Sequence, residues 1–189
     1  MEKLRFKITG LKPLMLNNPQ TVSPFNEFSK KLKPLTSKRT KTEDDLMEIS
    51  RLKFLASVYY ENGQYVLPSE HFEQSLIAAS RERKLGKKFE RSLFVQDDAV
   101  LKFKDANKTP EELYKLDIYV DERCVGIKNV KVTTTRCIIP TWETEVELWY
   151  DETQLDEKDI TDIFEIAGLR YGVGTYRKKF GKFKVEKVK

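Results

Sequence analysis

The chain has 189 residues, 39% hydrophobic and 34% charged, with 35 Lys and Arg against 30 Asp and Glu for a net charge of +5. That is long enough to bury a core without disulfides or a structural metal, too apolar for a disordered polymer and too charged for a membrane-embedded one. Only Cys124, Cys137 and one histidine, His71, are present, so zinc-type ligand spacing is absent; no secretory or spanning apolar run occurs, and a cytoplasmic single domain over 1–189, with no cofactor and no metal, is expected.

Residues 3–9 alternate, with Leu4, Phe6 and Ile8 opposite Lys3, Arg5, Lys7 and Thr9, which predicts a half-buried strand with a cationic outer row. That row is either a solvated sheet face or one turned toward nucleic acid. From Lys12 to about Thr42 the chain carries Pro13, Pro19, Pro24 and Pro34 with no sustained period, and residues 29–42 hold Lys30, Lys31, Lys33, Lys38, Arg39 and Lys41 without an acid. An inserted basic loop at about 12–42, ordered by an anionic ligand, is expected.

Thr42 with Asp45 three positions on is a capping-box start, and Leu46, Ile49, Leu52, Leu55 and Ala56 continue a helix up to the turn Glu61-Asn62-Gly63. Residues 64–68 are extended; Ser69 caps a second helix with the stripe Phe72, Leu76 and Ala79, ending near Gly86. Short strands follow at 92–104, 116–120 and 124–132, interrupted by a helical turn at Thr109–Leu113. Trp142, Thr144, Val146, Leu148 and Tyr150 alternate with acids as a strand. Ile160, Ile163, Phe164 and Ala167 mark a helix closed by Gly168 at its C′ position, and a last strand runs Phe180–Val188. The order predicts an α+β fold, an antiparallel sheet with helices on one face.

Charge is unevenly spread. Residues 29–42, 81–91 and 170–189 are basic, whereas 143–165 hold ten acids and only Lys158. Such a division favours oriented contact with an anion, or contact between copies of the chain. In the stretch from Gly168 to Phe183, Gly172-Val173-Gly174 follows a helix and precedes a strand, the reverse of a dinucleotide fingerprint, and no G-x-x-x-x-G-K-[ST] loop occurs. A polymeric anion fits better. Arg170, Arg177, Lys178 and Lys179 would neutralise phosphates, Gly172 and Gly174 would admit a ligand backbone, and Tyr171 and Tyr176 would stack on bases; Lys30, Lys31, Lys38 and Arg39 would close over the strand. The bland alternative is a hairpin-like turn with a solvated basic flank. His71, the one histidine, falls at a helix start beside Phe72, where a packing or capping role fits.

Ile160, Ala167-Gly168, Gly172-Val173-Gly174, Arg177, Phe180-Gly181 and Phe183 together resemble the C-terminal helix, glycine-rich loop and strand of the repeat-associated RNA-binding (RAMP) superfamily of CRISPR systems. Tyr65-Val66-Leu67-Pro68-Ser69, leading to Leu76 and Arg81, is similar to a segment of that superfamily's backbone subunits, which line up along a guide RNA. About half of the chain is covered. The resemblance implies a ferredoxin-like core, akin to the RNA-recognition motif, with long inserted loops. It implies binding of single-stranded RNA or DNA, with copies of the chain or other effector-complex subunits as partners, in antiviral defence or as a solitary phage or mobile-element homologue. The family's glycine before Ser69 is missing and Ile160 replaces a leucine. The acid that RNA-cleaving backbone subunits carry after the first strand has only Glu27 as a counterpart in residues 11–42, so cleavage is not carried over. Non-catalytic RNA binding is therefore expected. The alternatives are a metal-independent endoribonuclease using His71, as in the superfamily's processing enzymes, and an interaction module that mimics a backbone subunit and inhibits an effector complex.

Overall fold

A computed structural model describes residues 1–127 and 130–188; Lys128 and Asn129, within the strand expected at 124–132, and Lys189 lie outside the described residues. In chain order the elements are β1 (Glu2–Gly10), β2 (Leu14–Met15), α1 (Glu27–Thr36), α2 (Glu43–Ser57), β3 (Tyr60–Glu61), β4 (Gln64–Leu67), α3 (Ser69–Ser80) and α4 (Gly86–Ser92). Then come β5 (Leu93–Val95), β6 (Ala99–Val100), α5 (Pro110–Tyr114), β7 (Val120–Ile127), β8 (Val130–Ile139), β9 (Glu143–Tyr150), α6 (Glu157–Ile166) and β10 (Phe183–Val188). The mixture of helix and antiparallel sheet is the α+β class. The chain divides into two compact units, one built from residues 1–15, 60–106 and 139–189, the other from 16–59 and 107–138.

The first unit is organised by a four-stranded antiparallel sheet in the order β10-β1-β9-β5. Alternation in β1 and β9 sends Leu4, Phe6, Ile8, Val146 and Leu148 into the core, where α3 and α6 cover them. Phe6, Phe72, Phe164 and Phe183 meet there edge to face, with ring centroids 5.1 Å apart for Phe6 and Phe164 and 5.8 Å for Phe164 and Phe183. Each such ring contributes roughly 1.5–3 kcal/mol of burial. The small hairpin β3–β4 turns at Asn62 and Gly63, both at positive φ as a two-residue Asn-Gly turn requires.

The outer face of the sheet is a charge ladder. Arg5 stands opposite Glu147 and bonds it at 2.6 Å, Lys7 reaches Glu143 at 3.1 Å, and Lys102 reaches Glu145 at 2.7 Å. The cationic row seen in the sequence is thus offset by the acidic row of the neighbouring strand.

In the second unit α2 begins with the full reciprocal capping box of Thr42 and Asp45, and α5 with that of Thr109 and Glu112. Ile49, Leu52, Phe54, Leu55 and Ala56 form the buried face of α2, while Leu46 is exposed. Phe54 packs on Tyr114 of α5 with centroids 5.2 Å apart.

Five local expectations need correction. The stretch 12–42 is not unstructured: a 3-10 turn at Pro19–Val22 and helix α1 occupy it, each capped by an asparagine, since Asn18 Oδ1 accepts from Gln20 N and Asn26 Oδ1 from Phe28 N. Helix α1 sets Phe28, Leu32 and Leu35 on one half-buried row but buries no side chain fully, and Pro34 sits inside its last turns. Ser69 is the first helical residue rather than the cap; its N–H is satisfied by Asp98 Oδ1 at 2.9 Å. Helix α3 stops at Ser80, and Lys84, at φ +62, turns the chain before Gly86 opens α4. Gly168 does not end α6: a π-helical turn, Ala167–Tyr171, extends it to Gly172, whose φ of +71 is the true stop. Residues 117–119 form a 3-10 turn, so the strand expected at 116–120 starts only at Val120.

Candidate nucleic-acid interface

The glycine-rich loop lies between α6 and β10 and is held to the segment after β1 by main-chain bonds. Thr175 N donates to Met15 O at 2.9 Å, Gly181 N to Pro13 O at 2.8 Å, and Val173 N to Gly181 O at 2.9 Å. Val173 and Phe180 are buried and anchor its two sides. What remains outside is a short turn from Thr175 to Lys179, closed by Lys179 N and Phe180 N donating to Tyr176 O.

Gly172 and Gly174 let the protein's own main chain pack closely at the loop. Both have positive φ, and a Cβ would lie 2.7 Å from Gly181 O at Gly172 and 2.6 Å from Met15 O at Gly174. The close approach that demands glycine is made by the protein's own main chain. Gly168 is needed for the same reason, because a Cβ there would overlap the Phe183 carbonyl.

Tyr176 is different. It has φ +52, left-handed backbone that a tyrosine adopts only at a cost of order 1 kcal/mol, and the residue is 51% exposed. Its ring packs at 5.9 Å on Phe180, and Lys179 Nζ lies 5.7 Å from the Phe180 centroid. Arg177, Lys178 and Lys179 follow directly and make no ion pair among the described residues. A strained, outward aromatic beside three cations can stack on a base and neutralise phosphates at once.

Arg170 and Tyr171, on the π-helical turn, are already engaged. Arg170 Nη1 donates to Glu82 Oε2, and Tyr171 OH donates to Glu82 Oε1 at 2.8 Å. Lys182 Nζ donates to the Arg170 carbonyl oxygen.

His71 lies in the first turn of α3, half-buried, with its backbone N–H on Pro68 O at 3.0 Å. Burial and then the Arg177 guanidinium push its imidazole below the ordinary range, with Glu70 and Asp98 opposing. Burial, with Arg177 again second, pushes the Lys182 ammonium down. The structure thus brings Arg177 within electrostatic reach of His71 and of Lys182, two neighbours that no spacing in the sequence announces.

The basic residues of the N-terminal stretch belong to the other compact unit. Lys31 pairs with Glu27 at 2.6 Å along α1, and Lys38 pairs with Asp45 of the α2 capping box at 2.5 Å. Lys30 and Arg39 are exposed and make no ion pair among the described residues.

No protein-family model matches this chain, and no curated protein matches it in sequence. Among solved structures, a chain of the Type III-B Cmr-beta complex bound to cognate target RNA, determined by cryo-EM, superposes with a TM-score of 0.55 at 13% identity. The match covers 100% of this chain and 61% of that one, so this chain spans about three-fifths of its neighbour's length. At that identity the likeness is one of fold.

Proposed function

We propose that this chain binds single-stranded nucleic acid, RNA foremost, and does not cleave it, on a ferredoxin-like core of the RAMP type. The observation that carries the reading is the Tyr176–Lys179 turn: an exposed tyrosine in left-handed backbone followed by three cations with no ion-pair partner among the described residues. The fold shared with a chain of an RNA-bound Cmr-beta complex supports RNA as the ligand and effector-complex subunits or copies of this chain as partners. Tyr176 stacks on a base, while Arg177, Lys178 and Lys179 neutralise successive phosphates. In the other compact unit, Lys30, Lys33, Arg39 and Lys41 make no ion pair among the described residues.

Binding of this kind weakens linearly in log affinity against log salt, by about 0.7 per phosphate contact for a single strand. An Arg177→Ala, Lys178→Ala double variant is expected to shallow the slope by about 1.4 in an anisotropy titration with labelled single-stranded RNA. An unchanged slope removes the turn from the interface.

A metal-independent endoribonuclease is the second reading, favoured by one observation: burial and Arg177 hold the His71 imidazole toward its neutral form, the form a general base needs. Labelled RNA incubated in EDTA with wild type and with His71→Ala separates the two. Intact RNA in both supports binding alone, and cleavage lost in the variant supports the enzyme.

A further inference from the structure

The turn after α3 sets the Glu82 carboxylate against the Arg170 guanidinium and the Tyr171 hydroxyl. Residues 81–91 hold six Lys or Arg, and Glu82 and Glu90 are their only acids. The 3-10 turn Arg81–Arg83 is fixed by Lys84 N bonding to Arg81 O and Leu85 N bonding to Ser80 O, and it holds Glu82 against the π-helical turn of residues 167–171. There one Glu82 oxygen accepts from the Arg170 guanidinium and the other from the Tyr171 hydroxyl. Arg83 takes no part, being turned to Asp162 at 3.1 Å and Asp159 at 3.7 Å. Lys182 approaches from behind through the Arg170 carbonyl.

Two oxygens of one anion shared between a guanidinium and a phenol is also how a phosphodiester would be held. Arg170 and Glu82 are solvent-facing, with side chains 64% and 33% exposed, so the internal pair is weak and open to exchange. We propose that Arg170 and Tyr171 form a phosphate subsite that Glu82 fills in the free protein, so that a nucleic-acid phosphate binds there only by displacing the Glu82 carboxylate. The proposal rests on the nucleic-acid reading above and adds to it a subsite adjoining the Tyr176–Lys179 turn and a residue that holds affinity down. Glu82 competes twice: it occupies the donors, and once displaced it repels the incoming phosphate.

Glu82→Gln keeps the shape and removes the charge. In anisotropy titrations with a labelled single-stranded RNA, this variant is expected to bind about three- to tenfold more tightly than wild type near 0.1 M salt, with a slope against log salt steeper by about 0.7, one added phosphate contact. Glu90→Gln makes the same change of net charge in the same basic segment and is expected to leave the slope unaltered. Arg170→Ala in the Glu82→Gln background is expected to return the slope to the wild-type value. Equal affinity and slope for wild type and Glu82→Gln, or an equal gain from Glu90→Gln, overturns the proposal. A wild type that binds no RNA defeats the nucleic-acid reading instead. Thermal unfolding in inorganic phosphate then tests the subsite by itself, since Glu82→Gln is expected to be stabilised by phosphate more than wild type, and equal stabilisation overturns it.

Discussion

Gly181 and Gly63 have similar backbone, φ +68 and +80, yet they differ in what surrounds them. At Gly181 a Cβ would overlap the Val173 carbonyl, whereas at Gly63 nothing lies within 4 Å. Alanine at Gly63 is therefore expected to cost about 1 kcal/mol for its backbone alone, and alanine at Gly181 at least about 3 kcal/mol, compared by urea midpoints at a common m-value. Equal costs would show that the loop yields freely. His71 supports a prediction in pH. Its native value lies below the unfolded one of about 6.5, so between the two the unfolded chain holds more protons. Stability present above pH 6.5 should fall as the pH drops through that window, while the carboxylates lowered by their partners, such as Asp45 and Glu147, lose their contribution only nearer pH 4. His71→Gln should flatten the stability profile between pH 7 and 5. A profile as steep as wild type would assign the acid loss elsewhere.

At the level of elements, the outer face of the β10-β1-β9-β5 sheet bears on where nucleic acid can lie. Arg5, Lys7 and Lys102 each face a carboxylate, so the face offers no uncompensated cationic row. An Arg5→Ala, Lys7→Ala variant is expected to leave RNA affinity within about twofold of wild type, against the larger loss from the Arg177, Lys178 pair; a comparable loss would move the interface onto the sheet. The sequence shows β1 and β9 because each exposes one face and buries the other, and α2 because its capping box is local. Helix α1 was illegible because its one cap, Asn26, is followed only by a short, half-buried apolar row, and Pro34 reads as a breaker. The π-helical turn was illegible because Gly168 sits where a helix stop is expected, and only the Phe183 main chain pressed against it reveals its purpose. Within the site, the cations of the Tyr176–Lys179 turn could be picked out by composition. The capture of Arg170 and Tyr171 by Glu82 spans 88 and 89 positions and could not.

For the molecule as a whole, the two compact units are interleaved along the chain, since the second is contributed by residues 16–59 and 107–138 between pieces of the first. Neither unit is a continuous stretch that could be cut out and studied as a fragment. Strand β1 makes this acute: it lies between β9 and β10, and its Arg5 bonds a residue 142 positions further on. Contacts at such separation bring large loop-closure entropy, so refolding is expected in the millisecond-to-second regime rather than microseconds, with β1 and β9 amides gaining protection together in pulsed hydrogen exchange. Protection of β1 well ahead of β9 would contradict that order. On a ribosome emitting about 5–20 residues per second, β1 emerges many seconds before either partner strand, an unpaired alternating ribbon with both edges bare. Its charged row, Lys3, Arg5 and Lys7, then has a task before the fold exists: like charges on neighbouring nascent chains keep those edges from finding each other.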